Sequence, residues 1–464
     1  MAVTTINIKV MSEEIIKPSN PTPKNLRLLQ TSLFDHVNSP TLMPLVFFYP
    51  KNITTNIDTN EILNRLKRSL SNTLSVFYPL AGRVHDDANY FNCNDEGVPY
   101  VHVEVDKPLD IVIRDIDVSQ LDKLLPFYGQ EGFTKLLLAI KINVFTCGGL
   151  AIGVRMSHAI SDAFSLVMFV KTWASMANGD SLHTNLGSVL PSFEMWKLFP
   201  PSLSLNMYAN QNTDLIKDKP ITKWFLFGEA KLEDLRSKLL SNTNMNDIDP
   251  HSKLPLCSLS MVLSAFLWCR VKVACHNFVN DVPHQTFHAV NLRSRISPSS
   301  GRLYYFGNTF VNAIAKLGVV SKNDANRTRD ESLMRNFLEQ MNESIAKILS
   351  NDGFIREIKE GSKDLRFVME HFERESRGEI ISLGFSSLRS LPVYEADFGW
   401  GKPVWVTSAT LMYKNLVILI PAGPSSKDIV AYINLSAKDM AKLESDTEFT
   451  SFVSKMIPRI NSKL

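Results

Sequence analysis

A histidine and an aspartate four residues apart, in His158-Ala159-Ile160-Ser161-Asp162, put an imidazole and a carboxylate on one short segment. A neutral imidazole, with a usual pKa of about 6.5, accepts a hydroxyl proton near neutral pH. The chemistry suggested is general-base activation of an alcohol. Alone, the pattern is weak, because this spacing arises by chance and many such histidines are hydrogen-bonded structural residues. A second segment, Asp397-Phe398-Gly399-Trp400-Gly401 followed by Lys402-Pro403, reads as a tight glycine turn with its two aromatic rings packed inward. Other chemistries find less support. Gly384-Phe385-Ser386-Ser387-Leu388 lacks the second glycine of a nucleophile elbow, no HExxH zinc pattern is present, and the glycines from Gly148 to Gly153 lie in and between strands, where they cannot wrap a phosphate.

The surrounding patterns say what must position His158. Leu137 to Phe145 and Leu150 to Ser157 read as two apolar strands joined by Thr146-Cys147-Gly148-Gly149, short enough for an antiparallel hairpin. His158 then stands just past a strand end. Phe164, Val167, Met168 and Trp173 mark a following helix that Ser161 or Asp162 can cap. Upstream, Met43 to Tyr49 reads as a strand, Asn60 to Leu74 as an amphipathic helix, and Tyr90 to Val105 as strand broken at Asp95-Glu96-Gly97. Downstream, helices are expected around Leu259 to Leu267 and Leu333 to Ile348. Strands are expected at Val404 to Thr410, Leu416 to Ile420 and Ile429 to Leu435, ahead of a C-terminal helix.

The chain has 464 residues, beyond the size at which one core stops growing, so two domains are expected. Periodicity fades between His183 and Lys223, where Pro191, Pro200, Pro201 and Pro220 interrupt any long element. The division expected is 1–199, a linker at 200–220, and 221–464. With 44% hydrophobic and 21% charged residues the composition is that of a folded globular protein. The formal charge of +3 is spread along the chain without the basic blocks of a nucleic-acid binder. No apolar run has the length of a signal peptide or membrane span, so a cytoplasmic protein is expected. The five cysteines, Cys93, Cys147, Cys257, Cys269 and Cys275, lack CxxC spacing and are expected to be buried free thiols.

Taken together and in this order, the two segments resemble the motifs of the plant BAHD acyltransferases. The likeness extends through Ile16-Lys17-Pro18, Tyr78-Pro79-Leu80-Ala81-Gly82-Arg83, Cys147-Gly148-Gly149, Asn291-Leu292-Arg293 and Phe306-Gly307-Asn308. It implies an α/β fold of two similarly built chloramphenicol-acetyltransferase-like domains with mixed sheets and an interdomain channel. It also implies direct acyl transfer from acyl-CoA, a co-substrate, to a small-molecule alcohol, with His158 as base. No acyl-enzyme, metal or permanently bound cofactor is implied, and no nucleic-acid or membrane partner; a monomer is expected. By the same likeness Asp162 points away from the substrate and pairs with Arg293, Ser386 faces the reacting centre, and Asp397 holds a loop with Phe398, Gly399, Trp400 and Gly401. Relatives usually carry tryptophan where this chain has Leu388, which makes that position a specificity candidate. The likeness is closest to members that make acetyl or short aliphatic esters of specialised metabolites. Amine acylation, or ligand binding without catalysis, on the same scaffold are the alternatives.

Overall fold

A computed structural model describes residues 4–38, 41–51, 58–87, 89–115, 117–126, 135–179, 190–201, 220–241, 257–276, 282–296, 303–317, 326–349, 352–360 and 365–454. Two mixed sheets organise them. The first has six strands in the order Ile8–Ile16, Val98–Val105, Leu138–Phe145, Leu150–Ser157, Leu42–Tyr49 and Trp405–Thr407. Alternation along these strands buries Leu150, Ile152, Val154 and Met156 against the helices Thr59–Val76 and Ala163–Ala177. The second sheet has seven strands, in the order Phe310–Leu317, His284–Asn291, Ile381–Ser387, Leu416–Pro421, Ile429–Leu435, Ile221–Phe227 and Val453–Ser454. Its core, with Val311, Ala313, Val290, Leu383 and Phe385, packs under the helices Leu259–His276 and Asn326–Leu349.

The Leu138–Phe145 and Leu150–Ser157 strands pair antiparallel, with Leu138 opposite Met156. Asp162 is the N-cap of the helix that follows, its carboxylate accepting from Ser165 N at 2.9 Å. His158 to Ser161 therefore bridge a strand end and a helix start. The loop is pinned by His158 N donating to Thr41 O at 2.8 Å and by the Ser161 hydroxyl donating to Ser157 O at 2.9 Å.

Three findings differ from the sequence reading. Trp405–Thr407, inside the expected 221–464 domain, pairs antiparallel with Leu42–Tyr49 and edges the first sheet, so that sheet takes strands from both sides of the expected division. The strand expected over Val404 to Thr410 ends at Thr407, because Ser408 donates to Pro44 O at 3.3 Å and Thr410 turns to Asp122. Cys147 is exposed rather than buried, since it occupies the hairpin turn, whereas Cys93, Cys257 and Cys269 are buried. The side chain of Cys275 and residues 202–219 of the expected linker lie outside the described residues.

The crossover strand is locked by the Asp397–Gly401 turn. One Asp397 oxygen, Oδ1, accepts from Gly399 N at 2.8 Å and Gly401 N at 2.9 Å. Gly399 has φ 97°, and a Cβ there would lie 2.8 Å from Asn178 Oδ1, so both conformation and space call for glycine. Phe398 and Trp400 stack at 5.5 Å, and Phe398 meets Trp173, on the helix capped by Asp162, edge-on at 5.0 Å. Asp397→Ala strands two backbone donors and should lower unfolding free energy by roughly 1–3 kcal/mol. Urea unfolding checks this, and an inactive mutant of wild-type stability and substrate affinity would give Asp397 a chemical role instead.

Candidate active site

The His158 imidazole is set by a chain of hydrogen bonds. Asn308 Nδ2 donates to His158 O at 2.8 Å and to Asp35 Oδ1 at 2.9 Å. Both partners are oxygens, so the Asn308 carbonyl faces the ring, with Oδ1 3.0 Å from His158 Nδ1. That contact is satisfied when Nδ1 carries the hydrogen. Nε2 is then the unprotonated, basic nitrogen. Asp35 is held in turn by a capping box, accepting from Ser32 N and the Ser32 hydroxyl, each at 2.8 Å. Burial raises the Asp35 carboxyl pKa, while the donors from Ser32 and Asn308 draw it back down. Phe310 closes one side of the imidazole at 5.8 Å between ring centroids.

Burial also lowers the His158 pKa below its ordinary 6.5, with the charge of Asp162 and the bond to Asn308 acting upward. The neutral base therefore persists to lower pH than a free histidine would allow.

Asp162 turns to Arg293, with Nη1 to Oδ2 at 2.7 Å and Nη2 to Oδ1 at 3.1 Å, both side chains about nine-tenths buried. Arg293 also donates to Tyr305 O and Gly307 O, each at 2.9 Å, and its guanidinium stacks on Phe164 at 4.3 Å. Burial pushes the Asp162 pKa up, but the Arg293 charge and hydrogen bonds from Ser165 and Thr309 bring it below the ordinary carboxylate value. Asp162 thus acts on His158 through the loop and through its field. Ser386 lies on the strand Ile381–Ser387, half-buried, on the face opposite Leu383 and Phe385. Leu388 is 5% exposed and packs in the first-sheet apolar cluster with Val393, Tyr394 and Ile420. Phe398 of the Asp397–Gly401 turn meets Trp173, on the helix that follows the His158 loop.

Asn308 stands in the sequence likeness only as part of Phe306-Gly307-Asn308, with no role given, and Asp35, which holds it, is not marked there at all. Ser32 and Asp35 do have capping-box spacing, which signals a helix start but not its distant partner.

A family model described as the Transferase family matches residues 6–450. The chain belongs to this BAHD acyltransferase family. It is 32% identical to stemmadenine O-acetyltransferase of Catharanthus roseus, over 95% of this chain and 96% of that one. It is 30% identical to limonoid 1-O-acetyltransferase of Citrus sinensis, over 97% and 99%. The crystal structure of vinorine synthase superposes with a TM-score of 0.76 at 27% identity, over 98% of this chain and 100% of that one. As a BAHD acyltransferase the protein uses acyl-CoA as co-substrate.

Asn308→Ala tests how the base is set. Its loss removes the Nδ1 partner and an upward influence on the His158 pKa. The acid limb of the kcat/KM profile should move to lower pH while the plateau falls several-fold, about 1 kcal/mol in the transition state. An unmoved acid limb in stopped-time assays across pH would show that Asn308 does not set the imidazole.

Proposed function

We propose that this BAHD enzyme moves an acetyl or short aliphatic group from acyl-CoA to a hydroxyl of a plant specialised metabolite, with His158 as general base. The observation carrying the reading is the Asn308 contact, which leaves His158 Nε2 basic. Nε2 removes the hydroxyl proton as the oxygen attacks the thioester carbonyl. The tetrahedral oxyanion collapses, the carbon–sulfur bond breaks, and the departing thiolate takes the proton back from the imidazolium. Ser386 is the candidate donor to the oxyanion, from the second-sheet face shared with Phe310. Its similarity to stemmadenine O-acetyltransferase and limonoid 1-O-acetyltransferase supports oxygen as acceptor atom and acetyl as donor group. A monomer working in the cytoplasm completes the reading; no helix among the described residues is long and apolar enough to cross a membrane.

The test is release of free CoA from acetyl-CoA in the presence of pooled plant alcohols, with amines run in parallel and product mass as readout. Ester products, lost by roughly 10²- to 10⁴-fold in a folded His158→Ala variant, are expected. Amide products alone, or undiminished turnover in that variant, would overturn the reading.

Leu388→Trp checks the specificity candidate. Its packing in the apolar cluster leads to overpacking, a loss of roughly 1–3 kcal/mol by thermal unfolding. If instead the side chain borders the channel, the ratio of kcat/KM for bulky and small acyl-CoA donors drops at unchanged stability.

A further inference from the structure

The second sheet carries an open floor where a covered face would be ordinary. His284–Asn291 is an interior strand, and its Thr286, His288 and Val290 are buried toward the helices. On the opposite face the pattern changes partway along: Gln285 is buried, Phe287 half-buried, and Ala289 and Asn291 exposed. The helix Arg366–Ser376 explains the first half, since His371 Nδ1 bonds Gln285 Oε1 at 2.8 Å and its ring meets Phe287 edge-on at 5.7 Å. The second half stays open at Ala289, while at its end the Asn291 side chain accepts from Arg293 N at 2.9 Å. That half begins at His158, because Asn291 pairs with Phe310, the ring beside the imidazole.

Alternation places Asn312 and Ser386 on the same open face as Ala289, so the floor is built of small or polar side chains. It ends at Phe287. The ring lies across the neighbouring strand at Gly384, where a Cβ would stand 2.1 Å from Phe287 Cζ, so only glycine lets it lie there. Phe287 pairs with Ile314, four residues along from Phe310, which makes the floor about 13 Å long at the strand rise.

We propose that Phe287 is the end stop of the acceptor pocket, and that this floor takes an elongated, mostly apolar, multi-ring alcohol whose hydroxyl lies at His158. The inference rests on the O-acyltransferase reading. The floor is far longer than a short acyl group and starts at the base, where the acceptor hydroxyl must sit. Asn312, half-buried on this face, offers a hydrogen bond to an oxygen function along the skeleton.

Phe287→Ala lengthens the floor, and Phe287→Leu serves if alanine leaves the sheet unstable. With acetyl-CoA, kcat/KM is measured for benzyl alcohol, naphthylmethanol and anthracenylmethanol. The ratio of the three-ring to the one-ring alcohol should rise about tenfold at unchanged KM for acetyl-CoA, the scale of pocket-size discrimination. Equilibrium binding of anthracenylmethanol, followed by its own fluorescence, should tighten by a similar factor without any turnover. An unchanged affinity, or a shift only in acyl-chain preference or acetyl-CoA KM, overturns the end-stop assignment. Tightened binding with no ester formed from any alcohol by the wild type supports the pocket and overturns the O-acyltransferase reading.

Discussion

A carboxylate carried by the first sheet's helix and a guanidinium that follows a strand of the second sheet meet at Asp162 and Arg293, and the His158 loop depends on that meeting. Both charges are withdrawn from water, a cost that only several satisfied hydrogen bonds offset. They are supplied here: Asp162 accepts from Ser165 N, Thr309 N and Arg293, while Arg293 also reaches the carbonyls of Tyr305 and Gly307. Ser165 adds its hydroxyl between them, accepting from Gly307 N at 3.0 Å. Gly307 has φ 126°, a conformation that favours glycine, and this lets its backbone turn both polar groups inward. The pair therefore fixes helix start, histidine loop and the Phe306–Asn308 turn as one unit.

That unit also explains why a base in an apolar setting stays usable. Desolvation keeps the imidazole neutral, and the amide of Asn308 selects which nitrogen is bare. Because Asn308 follows Gly307 directly, the geometry that satisfies Arg293 also delivers the amide to the ring. Asp35 stands behind the amide and orients it. Orientation of the base and satisfaction of the Arg293 guanidinium thus come from one turn, supplied by a segment far along the chain from His158.

The second connection between the halves is the crossover at Trp405–Thr407. An edge strand donated by the later chain closes the first sheet beside Leu42–Tyr49, with Trp405 stacked on Phe48 at 5.0 Å. The Asp397–Gly401 turn sets the path of that strand and touches Trp173 through Phe398. A change in the turn is transmitted to the helix whose N-cap is Asp162. The two motif segments are thus joined by packing, although they lie far apart in sequence.

The sequence by itself carried the local structure around His158: a hairpin, a strand end and a capped helix follow from apolar alternation, a short glycine connection and an aspartate at the cap position. It also carried the glycine turn of Asp397–Gly401, because positive φ and close approach restrict residue type directly. The family likeness supplied Arg293 as the partner of Asp162. Strands such as His284–Asn291, Phe310–Leu317 and Ile381–Ser387 were less legible, since half-polar faces bordering an open cleft blur the alternation. Only the tertiary structure brought Asn308 and Asp35 to the imidazole, exposed Cys147, moved Trp405–Thr407 to the first sheet and laid Phe287 over Gly384. Those outcomes depend on contacts between residues distant in the chain, and no local pattern of side-chain types encodes which partner a buried amide or ring will meet.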